Sequence, residues 1–208
     1  MATEKNASKF WSSAALEPKR QFRFVLQLSA IESYVITKVN RPSFEIGESE
    51  HNYINHKFYY PGRVTWNDVS FSLVDAIAPD TTGILMKMLV ASGYRFPTSK
   101  TATRTISKAE AVSAVGTCAI KMYGHLGSKA AGDKGDLIET WSLHNPWVRS
   151  VTMGDLDYST DEILSMDVTL KYDWATLDLG KDADQRIATP NHSSATMKDG
   201  VKHDNLKG

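Results

Sequence analysis

PWVRSVTMGDLDYSTDEILSMDVTLKYDW, residues 146–174, carries a strand pattern around which the rest of the chain can be read. In its second half Leu164, Met166, Val168, Leu170, Tyr172 and Trp174 fall on one parity, and Ser165, Asp167, Thr169, Lys171 and Asp173 on the other. Successive side chains of a strand point to opposite faces, so this alternation predicts one long strand, Ile163–Trp174, with a single buried face. At ~3.3 Å per residue it would run for roughly 35 Å. Ahead of it, MGDLDYSTDEI is rich in turn formers and follows an apolar run around Val148 and Val151.

Working outward, other segments show the same period. Gln21–Ser29 alternates through Phe22, Phe24, Leu26 and Leu28, and Tyr34–Asn40 is expected to pair with it. Phe44–Glu50 is a short apolar and acidic piece, and Asn52–Tyr60 alternates again. Pro61-Gly62 reads as a turn. Arg63–Asp75 resumes as strand, but its apolar parity changes after Trp66, which predicts a β-bulge near Asn67-Asp68. Thr117–Tyr123 should point Cys118, Ile120 and Met122 inward, with Leu137–Leu143 returning beside it after a glycine-rich loop.

One segment has helical spacing. Ile84, Leu85, Met88 and Leu89 form a stripe within about 79–92, Asp80 or Thr81 can cap its start, and Gly93 suits a left-handed C-terminal position. Residues 97–116, rich in Thr, Ser, Ala and Lys, read as a loop excursion outside the core. Residues 1–20 form an N-terminal arm with Phe10, Trp11 and Leu16 as apolar anchors, and residues 179–208 a polar C-terminal extension. Both are expected to touch partners. The whole is a mainly β chain: an antiparallel β-sandwich or barrel over 21–178 with one flanking α-helix and extended arms.

The 208 residues suit one elaborated domain. A single cysteine, Cys118, excludes an internal disulfide and a cysteine-only metal site. Lysine plus arginine and aspartate plus glutamate number 24 each. A protein that grips nucleic acid by neutralising phosphates carries a basic excess, which is absent here. The polar start MATEKNASKF lacks the apolar centre of a secretory signal, and no apolar run is long enough to span a bilayer.

Catalytic patterns are missing. There is no dinucleotide fingerprint, phosphate loop or nucleophile elbow, and no histidine pair at zinc-binding helical spacing. Asp155, Asp157, Asp161, Glu162, Asp167, Asp173 and Asp178 concentrate acid with only Lys171 to offset it, but without the calcium-loop spacing they read as turn caps and solvated faces. Trp66, Trp141, Trp147 and Trp174, with Tyr59, Tyr60, Tyr158 and Tyr172, allow a carbohydrate-binding platform; core and subunit-interface packing is the plainer reading. No catalytic, metal or cofactor residues are assigned.

Two pieces carry a family resemblance. Trp147, then Gly154-Asp155-Leu156-Asp157-Tyr158-Ser159, then Glu162-Ile163 and the MDVTLKYDW strand form one. HKFYYPGRVTWNDVSFSLVDA, His56–Ala76 around Trp66, forms the other. In this order, with a helix between them, they resemble the tail tube proteins of contractile-tailed bacteriophages. The resemblance implies a non-enzymatic virion protein assembled in the host cytoplasm. Six subunits would close a ring around a continuous inner barrel, and rings would stack into a tube. Sheath, baseplate initiator and tape measure protein would be partners, and DNA would pass without specific binding. A baseplate initiator or an injection-system inner tube would share this fold.

Overall fold

The computed structural model describes residues 18–98, 104–124 and 137–179. Phe10 and Trp11 of the arm, and residues 180–208 of the extension, lie outside them. The elements in chain order are β1 (Phe24–Leu28), a 3-10 turn (Ser33–Val35), β2 (Ile36–Val39), β3 (Phe44–Tyr53), β4 (His56–Trp66), β5 (Val69–Val74), α1 (Thr81–Ala91), α2 (Lys108–Val115), β6 (Cys118–Tyr123), β7 (Leu137–His144), β8 (Trp147–Thr152), β9 (Ser165–Lys171) and β10 (Trp174–Asp178).

Eight strands form two four-stranded antiparallel sheets, ordered β1-β6-β7-β10 and β2-β5-β9-β8. One buried cluster draws on both, so the sheets pack face to face. β9 shows why. Met166, Val168 and Leu170 are buried and stand opposite Leu73, Phe71 and Val69 of β5, which are buried too. In the other sheet, Leu26 faces Ile120 and Leu28 faces Cys118. Directly opposed apolar pairs lock register, because a slip of one residue would turn the whole apolar set to water. Each such side chain contributes about 1.5–3 kcal/mol on full burial.

The expected long strand is two strands. The alternation holds from Met166 to Tyr172, but the chain leaves one sheet at Tyr172-Asp173 and enters the other as β10. Trp174 keeps the parity yet is half exposed, stacked on His144 with ring centroids 4.9 Å apart. Asp173 fixes the crossing, accepting from Lys108 and Asn145, each at 2.8 Å. A side-chain pattern records which face is buried and not which sheet a strand joins.

Four other expectations change. β2 pairs with β5 and not with β1, whose neighbour is β6. Phe22 lies outside β1 and is exposed. Pro61-Gly62 is not a turn but lies inside β4, where the register shifts; the turn is at Ile54-Asn55. Pro61 stands at that shift, opposite Glu48, and an irregularity in a ladder is where a residue without an N–H is tolerated. The parity change at Asn67-Asp68 is a break between β4 and β5, which belong to different sheets.

The expected helix is α1. Asp80 caps it, accepting from the Gly83 N–H at 2.9 Å, and Gly93 follows with φ 105°. Within the 97–116 excursion, however, lies a second helix, α2, whose Ala111 and Val115 are buried. Ser107 caps it by accepting from the Glu110 N–H at 3.3 Å, and Gly116 ends it with φ 70°. This is the Ser-x-x-Glu arrangement that opens helices, overlooked because the segment is rich in Thr and Ser. α2 packs on α1 and β8, enclosing an apolar cavity of about 450 Å³ that Trp147 helps to line.

Candidate assembly surface

β3 and β4 pair only with each other, as a two-stranded ribbon apart from both sheets. Every residue of its 10- and 11-residue strands is exposed except Trp66, which is half-buried. Yet the ribbon carries Phe44, Ile46, Tyr53, Phe58, Tyr59, Tyr60 and Val64, all at least half exposed, and Ile54 at its tip is 82% exposed. A lone ribbon is marginal in water. An apolar set of this size on one marks a surface that something else covers.

The root is well anchored. Phe44 stands opposite Trp66 and meets it edge-on at 5.3 Å, and Trp66 lies 6.1 Å from the ring of Tyr172, which is buried. Burial, then the charge of Asp68, pushes the Tyr172 hydroxyl up to about 12, so it stays protonated. Asp68, just past the root, pairs with Lys171 at 2.8 Å and with Arg149. The Lys171 hydrogen bond, against the cost of burial, holds its carboxyl below the usual value, and Arg149 adds to this. Beyond the root, the shift between Ile46 and Glu48 lets the Gly62 backbone approach Gly47. A Cβ on Gly62 would lie 3.0 Å from the Gly47 carbonyl oxygen.

The segment before the ribbon is held by a buried charge. Glu139 of β7 is 3% exposed and pairs with Lys19, near the end of the arm, and with Arg41, just before β3. Burial would raise its pKa, but the Lys19 bond and charge, joined by Arg41, outweigh this and hold the carboxyl below its ordinary value. Sequence reasoning missed Glu139. Its only signal was an acid on a strand whose flanking residues are otherwise neutral.

The residues singled out from sequence separate into two places. Trp66 is at the ribbon root. Trp147 opens β8 and is half-buried. Gly154 permits a tight approach, since a Cβ there would lie 2.5 Å from the Ser165 carbonyl oxygen. Asp155, Leu156, Asp157, Tyr158, Glu162 and Ile163 stand exposed on the β8–β9 connection, with Tyr158 wholly open to solvent. Asp157 accepts from the Ser159 backbone N–H at 2.9 Å, and that bond and the Ser159 hydroxyl hold its carboxyl below its ordinary value. The aromatic residues do not form one platform: Trp66 and Tyr172 meet at the core, Trp174 stacks on His144, and Tyr59 and Tyr60 lie on the ribbon.

Among the described residues no three His, Cys, Asp or Glu side chains are grouped to hold a metal, and no helix is long and apolar enough to cross a membrane. Burial pushes the Cys118 thiol up to about 12, so it is an unreactive core group. The geometry offers surfaces for other chains.

No family model matches the sequence, and no curated protein does. Solved structures are similar in fold. A chain of the PVC extracellular contractile injection system, from its extended sheath–tube complex, aligns at 15% identity and TM-score 0.56, covering 83% of this chain and 97% of that one. A chain from the extended sheath/tube terminator of the same system gives 15% and 0.57, covering 77% and 96%. One from the baseplate of the anti-feeding prophage gives 15% and 0.55, covering 79% and 97%. The tail-tube-like fold that the sequence resembles is the fold this chain has.

Proposed function

We propose that this chain is the major tube subunit of a contractile tail, a structural protein that closes into hexameric rings and stacks into a hollow conduit. The exposed β3–β4 ribbon carries this reading. Its apolar residues have no cover within the described chain, and identical neighbours supply one on every subunit of a ring and its stack. Four open sheet edges, β1, β10, β2 and β8, are available for joining sheets between copies. The balanced charge suits a conduit, because each phosphate contact would retard DNA passing through the lumen. Sheath would lie outside, tape measure protein inside during assembly, and the baseplate initiator at one end. The subunit itself catalyses nothing.

The likeness to terminator and baseplate chains favours a second reading, a tube-end protein of the same fold. Negative-stain microscopy of the purified chain separates the two. Long hollow tubes of uniform width are expected for the major subunit. Single rings that never stack indicate an end protein, and a chain that stays monomeric at every concentration contradicts both.

A further inference from the structure

Where β1 and β2 form neighbouring open edges, a cleft of about 770 Å³ separates them. Four cations line it: Lys19, Arg20, Lys38 and Arg41. Glu139 engages Lys19 and Arg41. Arg20 and Lys38 have no ion-pair partner among the described residues. The floor is apolar, and Phe22 at its rim is 75% exposed. The cleft therefore fits an acidic segment with apolar anchors.

The β8–β9 connection, 153–164, is such a segment. It contains Asp155, Asp157, Asp161 and Glu162 and no basic residue. None of these acids has an ion pair among the described residues, and Leu156 and Ile163 between them are exposed. The two features do not pair within one subunit: among the described residues the cleft cations that form ion pairs do so with Glu139, and none pairs with an acid of the connection. In the sheet ordered β2-β5-β9-β8 the cleft lies at the β2 edge, whereas the connection runs from the β8 edge to β9 and ends beside β5, where the Leu164 carbonyl accepts from the Asp75 N–H at 3.0 Å. Two different, complementary surfaces on one subunit make a head-to-tail contact, which closes into a ring or runs on as a filament.

We infer that the acidic β8–β9 connection of one copy docks into the basic β1–β2 cleft of the next, with Arg20 and Lys38 facing its carboxylates. This rests on the assembly reading above and names the contact that orders copies around the ring. Charge complementarity sets partner choice and register, and leaves the ribbon free for other contacts. Because the charges are exposed, the contact weakens with added salt.

Charge reversal tests it. One variant carries Arg20→Glu and Lys38→Glu, the other Asp155→Lys and Asp161→Lys. All four positions are exposed, and thermal melts near that of the unmodified chain verify folding. The milder pair Arg20→Gln and Lys38→Gln should act in the same direction. Each reversed variant alone is expected to need at least about tenfold more protein to assemble, because like charges oppose across the contact. An equimolar mixture is expected to assemble again, since alternating copies satisfy every contact in an even ring. Variants that assemble as the unmodified chain does overturn the contact and leave the tube reading standing. So does a failing cleft variant beside a normal loop variant, which would assign the cleft to another segment such as the arm. Two failing variants that do not rescue each other also overturn it. An unmodified chain that never assembles overturns the tube reading and this contact together.

Discussion

Arg41 donates to Glu139 at 3.4 Å, tying the segment that enters the β3–β4 ribbon to the buried middle of β7. Lys19 joins the same carboxylate, so one acid holds the roots of both the arm and the ribbon. Glu139→Gln keeps the shape and removes the charge. It is expected to lower stability by about 1–3 kcal/mol, measured by urea unfolding, because a buried charge-assisted pair is lost. Lys19→Gln should cost less, since the lysine is half exposed and Arg41 still pairs with the acid.

The pH dependence follows from the carboxylates held low. Glu139, Asp68 and Asp173 all have depressed values, with cations among the causes: Lys19 and Arg41, Lys171 and Arg149, and Lys108, respectively. For such groups the unfolded chain binds protons first, so stability is full above the unfolded value of about 4 and falls as pH drops through the folded values. Melting followed from pH 7 downward should stay level to about pH 5 and then decline. Glu139→Gln should make that decline shallower. An equally steep decline in the variant would remove Glu139 from the account.

Ser107 tests α2. Ser107→Ala removes the acceptor for the Glu110 N–H and should cost about 1 kcal/mol, read from chemical unfolding. Ser107→Asp should retain most of the stability. A silent Ser107→Ala would mean the cap adds nothing to the packing of Ala111 and Val115.

The ribbon aromatics should be dispensable for the subunit and needed between subunits. Tyr59→Ser with Tyr60→Ser is expected to change monomer stability by no more than ~0.5 kcal/mol, as for exposed sites generally. Assembly should require at least about tenfold more protein, because exposed aromatics that become buried carry interface energy. Sedimentation velocity reads both species. Unchanged assembly would assign the ribbon no role between copies.

What was legible in the sequence was burial. The alternation in β9, the inward set Cys118, Ile120 and Met122, and Leu85 and Met88 of the α1 stripe report which side chains leave water, whereas Ile84 is only partly buried and Leu89, at the edge of the stripe, is exposed. Partnership was not legible. The crossing at Tyr172-Asp173 and the pairing of β2 with β5 depend on contacts between distant segments. The ribbon turn hid because Ile54, with φ 52°, is an unusual residue for a left-handed position. Of the surface, the acidic connection was visible as composition, whereas the cleft arises only when β1 and β2 lie side by side as edges.

In the assembled tube other copies are expected to cover the β3–β4 ribbon. Hydrogen exchange across residues 44–66, comparing assembled protein with the dispersed Tyr59→Ser, Tyr60→Ser variant, tests it most directly. Ribbon amides are expected to exchange quickly when dispersed and to become strongly protected on assembly, while β5 and β9 stay protected in both states. Equal, rapid ribbon exchange in both states would mean that no other copy covers the ribbon.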